Sequence, residues 1–312
     1  MSAETCLPGL DGRTPLGFMG ALGVQTALMT SESPTLRWDS TGSPIVGGRH
    51  TLEEIAERIV DSFKELVASP AVSGEHVADD LKFSTAADVR AYLEFAHVGG
   101  RLPAAFAAAQ VSEGAVVRVG KSKPSTLHFT SGQMKFLSIA RGIATGRNPA
   151  KKKTDHSSLS PQLVREALTE PGNGLSLLRW GDTDGRTHAL SAVSPAEREE
   201  RQRTKRLTNP APTALALLGM SRYPTWTSDR NRCVTQGIFG RRPHLFFWPL
   251  WEHPAGWATV GSFLAQAQPA SDELNSERLT GWGITEIWSS VVRDCGKDLF
   301  SFESAKATWR AP

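Results

Sequence analysis

The chain has no Asp or Glu between Gly114 and Thr154, only three cysteines, and no apolar run near the ~20 residues that cross a bilayer. Each absence removes a class of protein. Cys6, Cys233 and Cys295 are odd in number and far apart, which excludes a disulfide framework and a metal-ligand spacing and points to a reducing cytoplasm. Without a long apolar run there is no membrane-spanning helix to expect. Glu4 stands where a secretory signal carries positive charge, and three glycines break the most apolar early stretch, Pro15 to Met29, so no secretory signal is expected. Also missing are Gly-x-x-x-x-Gly-Lys-Ser/Thr, Gly-x-Ser-x-Gly, His-Glu-x-x-His and Gly-x-Gly-x-x-Gly, the loops that cradle phosphates, present a nucleophile, hold zinc or bind a dinucleotide.

What is present is segregated positive charge. The acid-free window carries Arg118, Lys121, Lys123, Lys135, Arg141, Arg147, Lys151, Lys152 and Lys153. A second window, Arg201 to Trp251, carries Arg201, Arg203, Lys205, Arg206, Arg222, Arg230, Arg232, Arg241 and Arg242 against the single acid Asp229. Together the windows are net +17, so the whole-chain charge of +3 leaves −14 for the remainder. A surface that holds a polyanion needs such segregation, because each neutralised phosphate releases condensed counterion. The competing reading is two ordinary solvated faces.

The pattern of elements predicts an α+β protein with a helix-rich N-terminal lobe (1–160) and a strand-rich C-terminal lobe (161–312), divided near 155 to 170. Thr14-Pro15 reads as an N-cap and first helical residue, followed by Leu16, Phe18, Met19, Leu22 and Leu28. Gly17, Gly20 and Gly23 lie on that helix at three-residue spacing; each is costly in a helix interior, so a backbone is expected to pack closely there. Thr51 with Glu54, and Thr85 with Asp88, open two more helices. Ala115 to Val119 and Thr126 to Phe129 read as short strands, and a helix is expected from Ser131 through Ala144 up to Gly146. Residues 147 to 158 read as a linker. Further on come a hairpin around Gly181 to Arg186, a charged helix from Pro195, an apolar helix over Ala214 to Leu218, and strands at Cys233 to Phe239, His244 to Trp248 and Gly283 to Trp288.

Few residues suggest catalysis. Ser131-Gly132-Gln133 with Lys135 and Arg141 resembles the signature helix of ABC ATPases, but no phosphate-cradling loop accompanies it, so the ATPase reading fails. A helix start that offers N–H groups to phosphate survives, beside an ordinary core helix presenting Phe136, Leu137 and Ile139. Asp182, Asp184 and His188 fit turn chemistry better than a metal site. Tyr223, Trp226, Phe239, Phe246, Phe247, Trp248 and Trp251 interleave with the second window as base-stacking residues would, although Phe246, Trp248 and Leu250 alternate like a core strand. The candidate nucleic-acid-binding set is therefore Lys121, Lys123, Ser131, Gln133, Lys135, Arg141, Arg147, Lys151, Lys152, Lys153, Arg201, Arg203, Lys205, Arg206, Arg230, Arg232, Arg241 and Arg242, with no catalytic residue, metal or cofactor assigned.

Leu7-Pro8-Gly9-Leu10-Asp11-Gly12-Arg13-Thr14-Pro15-Leu16-Gly17-Phe18-Met19-Gly20-Ala21-Leu22-Gly23-Val24, followed by Leu36-Arg37-Trp38, resembles the start of large-subunit proteins of type I-G (formerly I-U) CRISPR effector complexes. Weaker echoes are Phe129 to Gln133, Leu178 to Asp182, and Asn209 to Leu218 ahead of Tyr223-Pro224. The resemblance implies a non-catalytic, cytoplasmic subunit that reads the motif beside the target, stabilises the R-loop and helps recruit a helicase-nuclease. Its implied partners are guide RNA, target DNA and the other effector subunits, with no membrane. In such systems guide pairing reads sequence while protein reads backbone and a few base pairs. The chain departs from the large-subunit pattern in showing no four-helix run after Gly219. The rivals are a standalone defence enzyme, as a metal-dependent nuclease on Asp182, Asp184 and His188 or a nucleotide hydrolase, and an RNA-binding scaffold.

Overall fold

A computed structural model describes residues 4–29, 33–116, 122–129, 135–146, 158–171, 178, 180, 209–240, 243–267, 273–294 and 300–311. The protein is α+β, with helices mostly in the N-terminal half and sheets concentrated in the C-terminal half. The N-terminal helices are α1 (Pro15–Ala27), α2 (Leu52–Ala68), α3 (Pro70–Ser73), α4 (Ala86–Val98), α5 (Arg101–Ala108), α6 (Phe136–Thr145) and α7 (Pro161–Thr169). Later come α8 (Ala211–Met220), α9 (Trp257–Gln266) and α10 (Glu273–Gly281).

Helix starts follow the caps read from sequence. The Thr14 hydroxyl accepts from the Gly17 N–H at 3.1 Å, and Thr51 with Glu54 and Thr85 with Asp88 form reciprocal capping boxes. α1 and α8 are buried almost all round, which a helix tolerates only at the centre of a fold. Their backbones touch. A Cβ built on Gly23 would stand 1.9 Å from the Leu215 carbonyl oxygen, and one on Gly219 would stand 2.0 Å from that of Met19. The glycine-lined face of α1 is thus an internal packing surface, and α8 supplies the partner backbone from the far side of the 160/161 division.

Among the described residues, three antiparallel sheets complete the fold. β1 (Glu4–Cys6), β3 (Pro44–Gly47) and β2 (Thr35–Trp38) form the first, in that order. The largest runs β10 (Lys306–Arg310), β8 (Ile284–Asp294), β7 (His244–Trp251), β6 (Ile238–Phe239), with β9 (Phe300–Phe302) also on β8. β4 (Thr225–Thr227) and β5 (Cys233–Thr235) form a separate ribbon. The Leu7–Val24 block and Leu36-Arg37-Trp38 meet at the centre. Phe18 stacks on Trp38 with ring centroids 5.4 Å apart, and Trp38 meets Trp251 edge-on at 5.8 Å. The Trp248 indole donates to the Gly12 carbonyl at 2.8 Å and Trp251 to the Leu36 carbonyl at 2.6 Å, joining the large sheet to the N-terminal block.

The structure differs from the sequence reading at three elements. Thr126 to Phe129 is a turn: Leu127, His128 and Phe129 are buried in succession, without the alternation of a strand, and the His128 N–H donates to the Ser125 carbonyl at 3.0 Å. Of the strand expected over Ala115 to Val119, Ala115 closes a 3₁₀ turn that begins at Glu113, and residues 117–119 lie outside the described residues. α6 opens at Phe136 behind an extended Lys135, because the apolar period of Phe136, Leu137, Ala140 and Ile143 starts only there. At β7 the core-strand reading of Phe246, Trp248 and Leu250 holds: the strand is buried without interruption from Phe246 to Trp251, so both of its faces are covered.

Candidate nucleic-acid interface

The β4–β5 ribbon belongs to the second basic window and is built by alternation. Thr225 and Thr227 face inward while Trp226, opposite Val234, remains 49% exposed. Its tip is organised by one hydroxyl. Ser228 Oγ accepts from the Arg230 and Arg232 N–H groups at 3.3 and 3.2 Å, and the Ser228 N–H donates to the Arg232 carbonyl at 2.9 Å. Asn231 takes φ +53°, a left-handed conformation that Asn tolerates in turns. The result is an ordered tip with Asp229, Arg230, Asn231 and Arg232 exposed, and the broad Trp226 indole on the strand that leads into it.

The ribbon docks through its threonines on the segment from Ala108 to Thr126, which enters the first basic window. Thr235 Oγ1 lies 3.0 Å from Ser125 Oγ and accepts from the Thr126 N–H at 3.1 Å, Thr227 Oγ1 lies 2.7 Å from Ser112 Oγ, and Thr225 Oγ1 donates to the Ala108 carbonyl at 2.9 Å. Gly114 leaves room for the approach, since a Cβ there would stand 2.8 Å from Thr227 Oγ1. Exposed Lys123 precedes Ser125 by two residues on this same docked segment, itself fixed by the Ser125 N–H donating to the Gln110 carbonyl at 2.7 Å. Ser125 and Thr126 of the first window thus touch Thr235 of the second.

Lys135 and Arg141 go elsewhere. The Arg141 Nη1 donates to the Val72 carbonyl at 2.7 Å and its Nη2 to Asp79 and, at 3.2 Å, to Ser138 Oγ. Lys135 Nζ stands 3.7 Å from the other Asp79 oxygen. Burial raises the Asp79 pKa, but the Arg141 hydrogen bond and the charges of Arg141 and Lys135 outweigh it and hold the carboxyl below its ordinary value. Arg141 thus pins α6 to the α3–α4 connection, a structural use that differs from the phosphate contact expected of it. Lys121, Ser131, Gln133, Arg147, Lys151, Lys152, Lys153, Arg201, Arg203, Lys205, Arg206, Arg241 and Arg242 lie outside the described residues, as do Asp182, Asp184 and His188.

Among the interleaved aromatics, Trp226 is exposed and Phe239 is half-buried, whereas Tyr223, Phe246, Phe247, Trp248 and Trp251 belong to the core. The Cys233 thiol is pushed up to about 11 by burial, so it is protonated and poorly nucleophilic at neutral pH. Among the described residues no group of His, Cys, Asp or Glu could hold a metal ion, and no helix is long and apolar enough to cross a membrane. Sequence reading missed the docking threonines; the period-2 pattern Thr225-Trp226-Thr227 before a Ser-Asp-Arg-Asn turn was the available signal. The chain matches no protein-family model and no curated protein.

Proposed function

We propose that this chain is a non-catalytic nucleic-acid-binding subunit of an RNA-guided CRISPR surveillance complex, acting in the cytoplasm. One observation supports the binding reading: the ribbon presents exposed Trp226, Arg230 and Arg232, and its base docks on the segment that carries exposed Lys123. An exposed indole beside guanidinium groups suits an unpaired base, with stacking from the ring and counterion release from the cations. Membership of the complex, recognition of the target-adjacent motif, R-loop stabilisation and helicase-nuclease recruitment follow from the N-terminal resemblance alone. Two experiments test the two levels. Fluorescence anisotropy with a labelled single-stranded oligonucleotide should show binding that Trp226→Ala weakens about tenfold; unchanged affinity in a Trp226→Ala, Arg230→Ala, Arg232→Ala variant overturns the ribbon reading. RNA co-purified from the native host should contain repeat-derived guides, and their absence overturns membership of the complex.

A further inference from the structure

The turn that closes the β4–β5 ribbon has a defined register, and the register decides which cation shares a face with Trp226. The Asn231 N–H donates to the Ser228 carbonyl at 3.0 Å and the Ser228 N–H to the Arg232 carbonyl at 2.9 Å, so Asp229, Arg230 and Asn231 form a three-residue loop. Asn231, left-handed at φ +53°, takes the bulge position that ends such a loop. Pairing therefore runs Trp226 with Val234, Thr227 with Cys233, and Ser228 with Arg232. Residues paired directly across two strands share a face, as do residues two apart along one strand. Trp226, Val234, Ser228 and Arg232 thus lie on one face of the ribbon, and Thr225, Thr227 and Thr235 on the other, the one that docks on the protein.

On the outer face, Arg232 is the diagonal neighbour of Trp226 across the two strands, a separation of about 7 to 8 Å that an aromatic and a long side chain can bridge. Both side chains are exposed. The Arg232 N–H is held by Ser228 Oγ at 3.2 Å, while its guanidinium has no carboxylate partner among the described residues, so the backbone is fixed and the donor fork is free. Arg230 sits at the corner of the loop, outside the pairing, and alternation gives it no place on this face. An indole face stacks any base and by itself makes no choice among them. The fork does make a choice. On the edge away from Watson–Crick pairing, guanine sets two acceptors side by side, O6 and N7, where adenine sets an amino donor beside N7. Cytosine offers paired acceptors only on its pairing edge, and its smaller ring covers less of an indole.

We propose that the outer face of the ribbon binds an unpaired guanine, its ring stacked on Trp226 and its O6 and N7 accepting from the Arg232 guanidinium. Bidentate donation from arginine to these two atoms is the commonest base-specific contact that proteins make. That a base lies on the ribbon at all rests on the reading given under Proposed function; that the base is guanine rests on the register that sets Arg232 beside Trp226. Arg230 is left for backbone phosphate, a contact that carries no sequence information.

The test is fluorescence anisotropy of the full chain with labelled oligothymidylates that carry one central guanine, adenine, cytosine or 7-deazaguanine, and with the matching oligouridylates, all at one salt concentration. The expected result is that guanine binds about tenfold more tightly than the other three bases. Arg232→Lys, which keeps the charge but loses the fork, should abolish that preference and keep the affinity for plain oligothymidylate. Arg230→Ala should lower affinity for every oligonucleotide equally and leave the preference in place. Equal affinity for guanine and 7-deazaguanine, which lacks N7, overturns the proposal without relying on any variant. So does a preference for adenine or cytosine, or a guanine preference that survives Arg232→Lys. A guanine preference in DNA alone or in RNA alone supports the proposal and identifies the strand. Trp226→Ala separates the two levels: if it weakens binding while the wild type treats all bases alike, the ribbon reading stands and the guanine site falls, whereas unchanged binding removes both.

Discussion

His128 is almost fully buried, its ring 4.5 Å from that of Phe136, and burial, with the charge of Lys82, brings the imidazole down to about 4. The unfolded chain protonates this group near 6.5 while the native state resists until about 4, so the unfolded state binds more protons between those values. Stability is therefore full above about pH 6.5 and declines as pH falls toward 4, by about 3 kcal/mol from this residue. Urea melts from pH 7 to 4 should show the decline, and His128→Gln should flatten it; identical profiles would show that acids elsewhere govern the acid limb. Single residues were legible where the partner is local. Thr14, Thr51 and Thr85 cap helices within three residues of themselves, and each was readable from that spacing. Arg141 was not, since its carboxylate partner, Asp79, lies on a distant connection and nothing in the Arg141 neighbourhood announces it.

Between elements, the crossing of α1 on α8 sets the tightest constraint, and its glycines are not equivalent. At Gly20 a Cβ would meet the movable end of Leu10 at 3.3 Å, whereas at Gly23 it would enter the α8 backbone. Gly20→Ala should leave the melting temperature nearly unchanged, the gain in helix propensity offsetting a small shift of Leu10. Gly23→Ala should destabilise by about 3 kcal/mol, because backbone cannot yield as a side chain does. Thermal melts of the two variants check the contrast, and equal effects would mean the helices separate more easily than the packing indicates. The sequence showed that α1 needed a close neighbour but not which one, since α8 carries only Gly219 as a matching sign. Strands fared less well. A run of buried residues with no period, such as Leu127-His128-Phe129, reads as strand until tertiary contacts make it a turn.

Across the whole molecule, net +17 in two windows stands against −14 in the remainder, and Thr235 of the second window contacts Ser125 and Thr126 of the first. If about five phosphates are neutralised, log K against log salt should fall with a slope of about −3.5 on single strands and about −4.5 on duplex. A slope near zero in an anisotropy titration would remove the electrostatic basis of binding. Segregation was readable at this scale because charge counts need no fold, while the meeting of the windows was not, because it depends on threonines whose role appears only after docking. The α1–α8 crossing has a further consequence, for synthesis. Its two helices are separated by about 180 residues, so the loop between them must close before their contact contributes any stability. On the ribosome, α1 emerges long before α8, and its apolar surface stays without its partner until most of the chain has been translated. Nascent chains stalled before α8 should therefore be protease-sensitive and chaperone-bound, and release should coincide with the emergence of Gly219.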